Sequence, residues 1–127
     1  MKEIIKTDQA PAAVGPYSQA VFVTSSELLF CAGQIPLDPG TQKMVDGDVS
    51  VQTRQVLNNV KGLLEASGSS MDKVVKSTVF LITMSDFADM NAVYSEFFAT
   101  DPPARATVAV HELPMGCRVE IEVVAYR

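Results

Sequence analysis

Apolar and polar residues change rhythm along the chain, and each rhythm predicts an element. Lys2 to Lys6 alternates over too short a span to classify alone, and Ala10-Pro11-Ala12-Ala13-Val14-Gly15-Pro16 reads as a loop, its prolines and glycine breaking any regular element. Tyr17 to Thr24 and Glu27 to Ile35 are rich in β-branched and aromatic residues around Ser25-Ser26, which predicts a hairpin. After a Pro- and Gly-bearing segment from Pro36 to Gly47, Val49, Val56, Val60, Leu63 and Leu64 recur at helical spacing, with Asp48 or Ser50 as the cap and Gly68 as the stop. Lys73 to Thr83 is β-prone, and Ser85-Asp86 opens a second helical pattern of Phe87, Met90, Tyr94, Phe97 and Phe98 that Asp101-Pro102-Pro103 ends. Two last runs, Arg105 to Glu112 and Arg118 to Tyr126, alternate as strands around the turn Leu113-Pro114-Met115-Gly116.

The order β-β-β-α-β-α-β-β predicts one α+β domain over residues 1–127, a six-stranded mixed sheet with two helices packed on one face. Side chains alternate across a strand, so the last two runs can be sorted by face. Ala106, Val108 and Val110 make an apolar side suited to the helices, leaving Arg105, Thr107, Ala109 and His111 opposite. Val119, Ile121, Val123 and Ala125 do the same in the final run, leaving Arg118, Glu120, Glu122, Val124 and Tyr126. This parity gives Glu120 and Glu122 a face in common with Arg105, a mixed face that is either partly solvated or covered by a neighbouring subunit, the second being favoured.

Composition narrows the chemistry. At 127 residues the chain suits one core, and a formal charge of −5 with scattered basic residues disfavours nucleic-acid binding. Cys31 and Cys117 lie far apart and share the chain with one histidine, so no zinc or iron-sulfur ligand set is expected, and both read as ordinary buried or half-buried thiols. No apolar run approaches a membrane span and the opening residues lack a signal-peptide core, which predicts a soluble, cytoplasmic protein without membrane contact.

Three groups of residues carry a resemblance that covers nearly the whole chain: Ala10 to Gln19, Ala32-Gly33-Gln34-Ile35-Pro36, and Pro103-Ala104-Arg105 followed by Leu113-Pro114 and Val119-Glu120-Ile121-Glu122. In order and spacing they resemble the YjgF/YER057c/UK114, or Rid, family. The resemblance implies a chorismate-mutase-like fold and a homotrimer whose three sheets enclose a barrel, with active sites in clefts between subunits. It further implies cofactor-free hydrolysis of 2-imino and 2-enamino acids, such as 2-aminoacrylate or 2-iminobutyrate, to 2-oxo acids and ammonia.

Residue by residue, the resemblance gives Arg105 the grip on the substrate carboxylate, for which a planar guanidinium suits better than an ammonium; the bland alternative is an ion pair with a nearby Asp or Glu. Glu120 matches the glutamate that holds or activates water, whereas Glu122 reads as a solvated strand carboxylate. Tyr17 either covers the substrate or is a packed strand tyrosine, and Asn91 either binds substrate or fastens its helix to a loop. Gly33 permits close approach to ligand, marks a bulge, or both. Ala32 stands where many deaminating members have serine, Thr107 where cysteine is frequent, and His111 where a small residue is usual. Thr107 keeps a hydroxyl and a carbonyl for substrate or water, and His111 reads as a satisfied strand histidine. Rival readings for such a protein are noncatalytic carboxylate binding, RNA cleavage or translation inhibition, and a holdase role.

Overall fold

The computed structural model describes all of residues 1–127, and the alternating runs become six strands: β1 (Lys2–Ile5), β2 (Ala20–Val23), β3 (Leu28–Cys31), β4 (Val74–Leu81), β5 (Ala104–Ala109) and β6 (Val119–Tyr126). Helix α1 (Val49–Ala66) stands between β3 and β4, and α2 (Phe87–Phe97) between β4 and β5, so the element order read from the sequence holds. One mixed sheet results, in the order β1-β2-β3-β6-β4-β5. Every pairing is antiparallel except β4 with β5, whose parallel run needs a crossover that α2 supplies. This is an α+β fold.

Asp48, not Ser50, caps α1: its carboxylate accepts from the Val51 N–H at 3.0 Å. At the other end Gly68 takes φ +80°, a left-handed turn that a side chain would resist. Between these ends Val56, Leu57, Val60, Leu63 and Leu64 bury one stripe in a core shared with Leu29, Val79 and Ile121 of the sheet. Each such side chain stabilises the fold by about 1.5–3 kcal/mol. No helix is long and apolar enough to cross a membrane.

The register assigns the faces, because residues directly paired across strands point the same way. Ser77, fully buried under the helices, pairs with Val123 of β6 and with Arg105 of β5. Phe80 pairs with Glu120 and with Val108 on the other face. The parity expected for β5 is therefore inverted: Arg105 and Thr107 lie on the helix side, Ala106 and Val108 on the uncovered side. Glu120 and Glu122 do not share a face with Arg105. Beside Glu120 and Glu122 the uncovered face carries many apolar residues, with Ile4, Phe30, Val108 and Tyr126 each 44–54% exposed, so apolarity does not mark the helix side of an edge strand. β5 also ends at Ala109, leaving His111 exposed beyond it rather than satisfied within a strand.

Candidate active site

The first cluster is built on α2. Phe87, Asn91 and Tyr94 follow one another at spacings of four and three, which aligns them in a stripe along the helix. Arg105 reaches from β5 onto that stripe: its Cζ lies 4.6 Å from the centre of the Tyr94 ring and 5.4 Å from that of Phe87. Its Nη1 donates to Asn91 Oδ1 at 2.7 Å. Contacts of a guanidinium with a ring face are worth about 0.5–1 kcal/mol each, and more where water is excluded. The ion pairs of the protein join Arg54 to Glu96, Arg118 to Asp86 and Arg127 to Glu3, and none involves Arg105. Arg105 is thus a cation whose partners here are two rings and an amide, with no carboxylate beside it. Two residues along the same face, the Thr107 hydroxyl is buried without a hydrogen-bond partner.

The second cluster lies across the sheet, around Glu120. Between the pairs Phe30–Val124 and Gln34–Ile121, the chain running out of β3 advances four residues while β6 advances three. The extra residue is a β-bulge at the Ala32-Gly33 segment, and it brings the Gly33 backbone against the Glu120 carboxyl group. A Cβ at position 33 would collide with Glu120 Oε2. Pro11, Val14, Tyr17, Ile35 and Met115 line the adjoining cleft of about 450 Å³. Glu120 forms no ion pair, and burial, followed by repulsion from Glu122, pushes its carboxyl above the ordinary range. Tyr17 is 51% exposed at this cleft, and the Val14 N–H donates to its hydroxyl at 3.4 Å.

Two buried amides hold the walls. Gln19 accepts from the Thr7 N–H at 2.8 Å and donates through Nε2 to the carbonyls of Thr7, Ala10 and Pro11 at 2.9, 3.3 and 2.7 Å. Asn59 on α1 donates to the carbonyls of Ile35 and Leu37 at 3.2 and 2.8 Å. The loops on both sides of the cleft are therefore fastened by side chains beneath them.

The family model described as Endoribonuclease L-PSP matches residues 7–127. A RutC family protein of Pyrococcus horikoshii is 52% identical over 127 residues, covering 100% of this chain and 99% of its own. A structure from Yersinia pestis, described as a protein of unknown function of the conserved Rid family, superposes with a TM-score of 0.95 at 43% identity, covering 100% of both chains. The chain belongs to the YjgF/Rid family. Another Rid relative, the 2-iminobutanoate/2-iminopropanoate deaminase of Bos taurus, is 43% identical over 125 residues, covering 98% of this chain and 90% of its own. Imine deamination is thus an activity of the Rid family.

Of the six residues that the Rid resemblance singles out, the structure gathers three on each side of the sheet: Arg105, Asn91 and Thr107 against α2, and Glu120, Gly33 and Tyr17 around the cleft. Asn91 fastens its helix to Arg105 rather than to a loop. Gly33 both marks a bulge and permits a close approach, here of Glu120. Sequence reasoning missed Gln19, Asn59, Ser77 and Tyr94 as supporting residues of this Rid chain. The available signal was the stripe that puts Asn91 and Tyr94 on one helix face; nothing in spacing reveals what a buried amide will bond. Cys31 and Cys117 are buried, and burial pushes their thiols up to about 12 and about 11.

Proposed function

We propose that this protein is a cytoplasmic, cofactor-free deaminase that hydrolyses 2-imino and 2-enamino acids, such as 2-iminobutyrate and 2-aminoacrylate, to 2-oxo acids and ammonia. It works as a homotrimer in which the Arg105 cluster of one protomer faces the Glu120 cleft of the next. The observation that carries this reading is a pair of complementary, uncompensated charges: Arg105 has no carboxylate partner, Glu120 has no cation, and the two lie on opposite faces of one sheet. The uncovered apolar face supports the assembly, since burying it removes Ile4, Phe30 and Val108 from water. The charge of −5 weighs against RNA as the substrate.

The chemistry asked of the site is modest. Arg105 takes the substrate carboxylate with the donors Asn91 leaves free, and Thr107 offers its hydroxyl beside it. Glu120, ionised, accepts a proton from the water that adds to the imine carbon and returns it to the nitrogen of the tetrahedral adduct; the C–N bond then breaks, ammonia leaves and the 2-oxo acid remains. An enamine first takes a proton at its terminal carbon, for which the Tyr17 hydroxyl or a water is the donor in this reading. Orientation supplies most of the gain, because imines hydrolyse unaided.

The test is complementation. Arg105→Ala and Glu120→Ala homotrimers are each expected to release 2-oxo acid and ammonia no faster than a protein-free control. Every mixed trimer of a cyclic assembly keeps one site with both side chains, so random mixing restores roughly a quarter of wild-type activity. Loss in each variant without recovery on mixing would place both residues in one protomer's site, and no acceleration by folded wild type would leave a carboxylate-binding protein.

A further inference from the structure

Arg105 is a long, flexible side chain, and a bidentate grip on a carboxylate depends on the plane in which its guanidinium is held. Three observations define what holds that plane. The Tyr94 ring is the nearer of the two aromatic faces against Arg105, at 4.6 Å against 5.4 Å for Phe87. The Tyr94 hydroxyl lies 2.6 Å from Ser77 Oγ in a buried hydrogen bond. Ser77 is the β4 residue paired directly with Arg105. Tyr94 therefore joins the inner strand, through Ser77, to the guanidinium carried by the edge strand, and the Phe98 ring lies 4.6 Å from its own.

We propose that Tyr94, anchored through its hydroxyl to Ser77, is a positioning residue that sets the plane of the Arg105 guanidinium and so the affinity for the substrate carboxylate. The proposal rests on the reading of Arg105 as the carboxylate grip. Tyr94 touches no reacting atom; it acts through Arg105, and through binding shared by ground and transition states. Its loss therefore raises KM and leaves kcat nearly unchanged. Ser77 and Tyr94 act as one unit, so their effects do not add.

The test compares Tyr94→Phe, Ser77→Ala and the double variant with wild type, each also in an Arg105→Ala background. The measurements are KM and kcat for 2-iminobutyrate, the Kd of the unreactive product 2-oxobutyrate, urea stability, and the Arg105 guanidinium NMR signals. Each single variant is expected to raise KM and Kd about fivefold, the worth of one hydrogen bond, with kcat within about twofold. In the Arg105→Ala background neither substitution has a further effect on Kd. The double variant leaves no buried hydroxyl unpaired and regains stability, yet keeps the Kd defect; a merely structural role predicts that affinity recovers with stability. Unchanged Kd in both single variants, or a Kd that follows stability, overturns the proposal. If wild type hydrolyses no imino acid, the deaminase reading fails alone: resolved Arg105 Nη signals that coalesce in Tyr94→Phe still support the lock, and identical signals overturn it.

Discussion

Arg105 is fixed by what packs on it, two aromatic rings and one amide along α2, whereas Glu120 is fixed by what is missing beside it, the Cβ of Gly33. The first arrangement is made of side chains within regular elements, so it tolerates change in the loops. The second hangs on a bulge and on loops stapled by Gln19 and Asn59, so its geometry depends on a few buried hydrogen bonds. A functional side chain can thus be held by contact or by clearance, and the two respond to different substitutions.

Gly33→Ala is the sharpest way to break the comparison. The added methyl meets the end of a flexible side chain, so Glu120 swings away and the fold survives. Activity on 2-iminobutyrate is expected to fall roughly a hundredfold, the cost of misplacing a reacting group by about an ångström. Stability in urea changes by no more than about 1 kcal/mol. Equal activity in this variant would mean that clearance does not set the position of Glu120.

Gln19→Ala comes next, removing four hydrogen bonds around the wall of the cleft. A loss of about 2–3 kcal/mol in urea unfolding is expected, together with a weakened Glu120 cleft and an intact Arg105 cluster. Arg105 guanidinium signals unchanged in this variant would sharpen the contrast, and their collapse would erase it.

Glu120 also ties the site to pH. Its folded carboxyl titrates above the ordinary range, so the proton is held more tightly in the folded state. Below about pH 4 both states are protonated and nothing is lost; the penalty grows as pH rises through the raised value and is complete above it. In a protomer that no neighbouring Arg105 faces, Glu120→Gln is therefore expected to raise the melting temperature at pH 7, with the gain vanishing near pH 4. In wild type the acid limb of kcat is expected above that of an unperturbed carboxylate, and Glu122→Gln is expected to move it to lower pH, a shift read from pH-rate profiles. The smallest effect belongs to neither cluster: Arg54→Ala breaks an exposed pair with Glu96 and is expected to cost less than about 0.5 kcal/mol, with unchanged kinetics.

Rhythm in the sequence was enough for the elements, because Val56, Val60 and Leu63 can bury together only on a helix, and Val119, Ile121 and Val123 only on a strand. It failed where both sides of a strand are apolar. Val108 looks like a core residue, but it faces outward, and the charged Arg105 takes the inner side because rings and an amide receive it there. Hence the resemblance could name six candidate residues, but not their division between two faces. The strands of the hairpin were overextended for a related reason: Gln19 and Gly33 sit inside β-prone runs, yet one amide is turned to a loop and one residue is extra.

The two thiols offer a practical consequence. With Cys31 and Cys117 pushed to about 12 and about 11, thiolate at neutral pH amounts to about one part in ten thousand or less. Maleimides and iodoacetamides are expected to react with them far more slowly than with an exposed thiol. A cysteine placed at exposed Ser85, beside the start of α2, can then be labelled alone, and a dye or spin label there would follow α2 as ligand arrives, with the native sequence otherwise untouched.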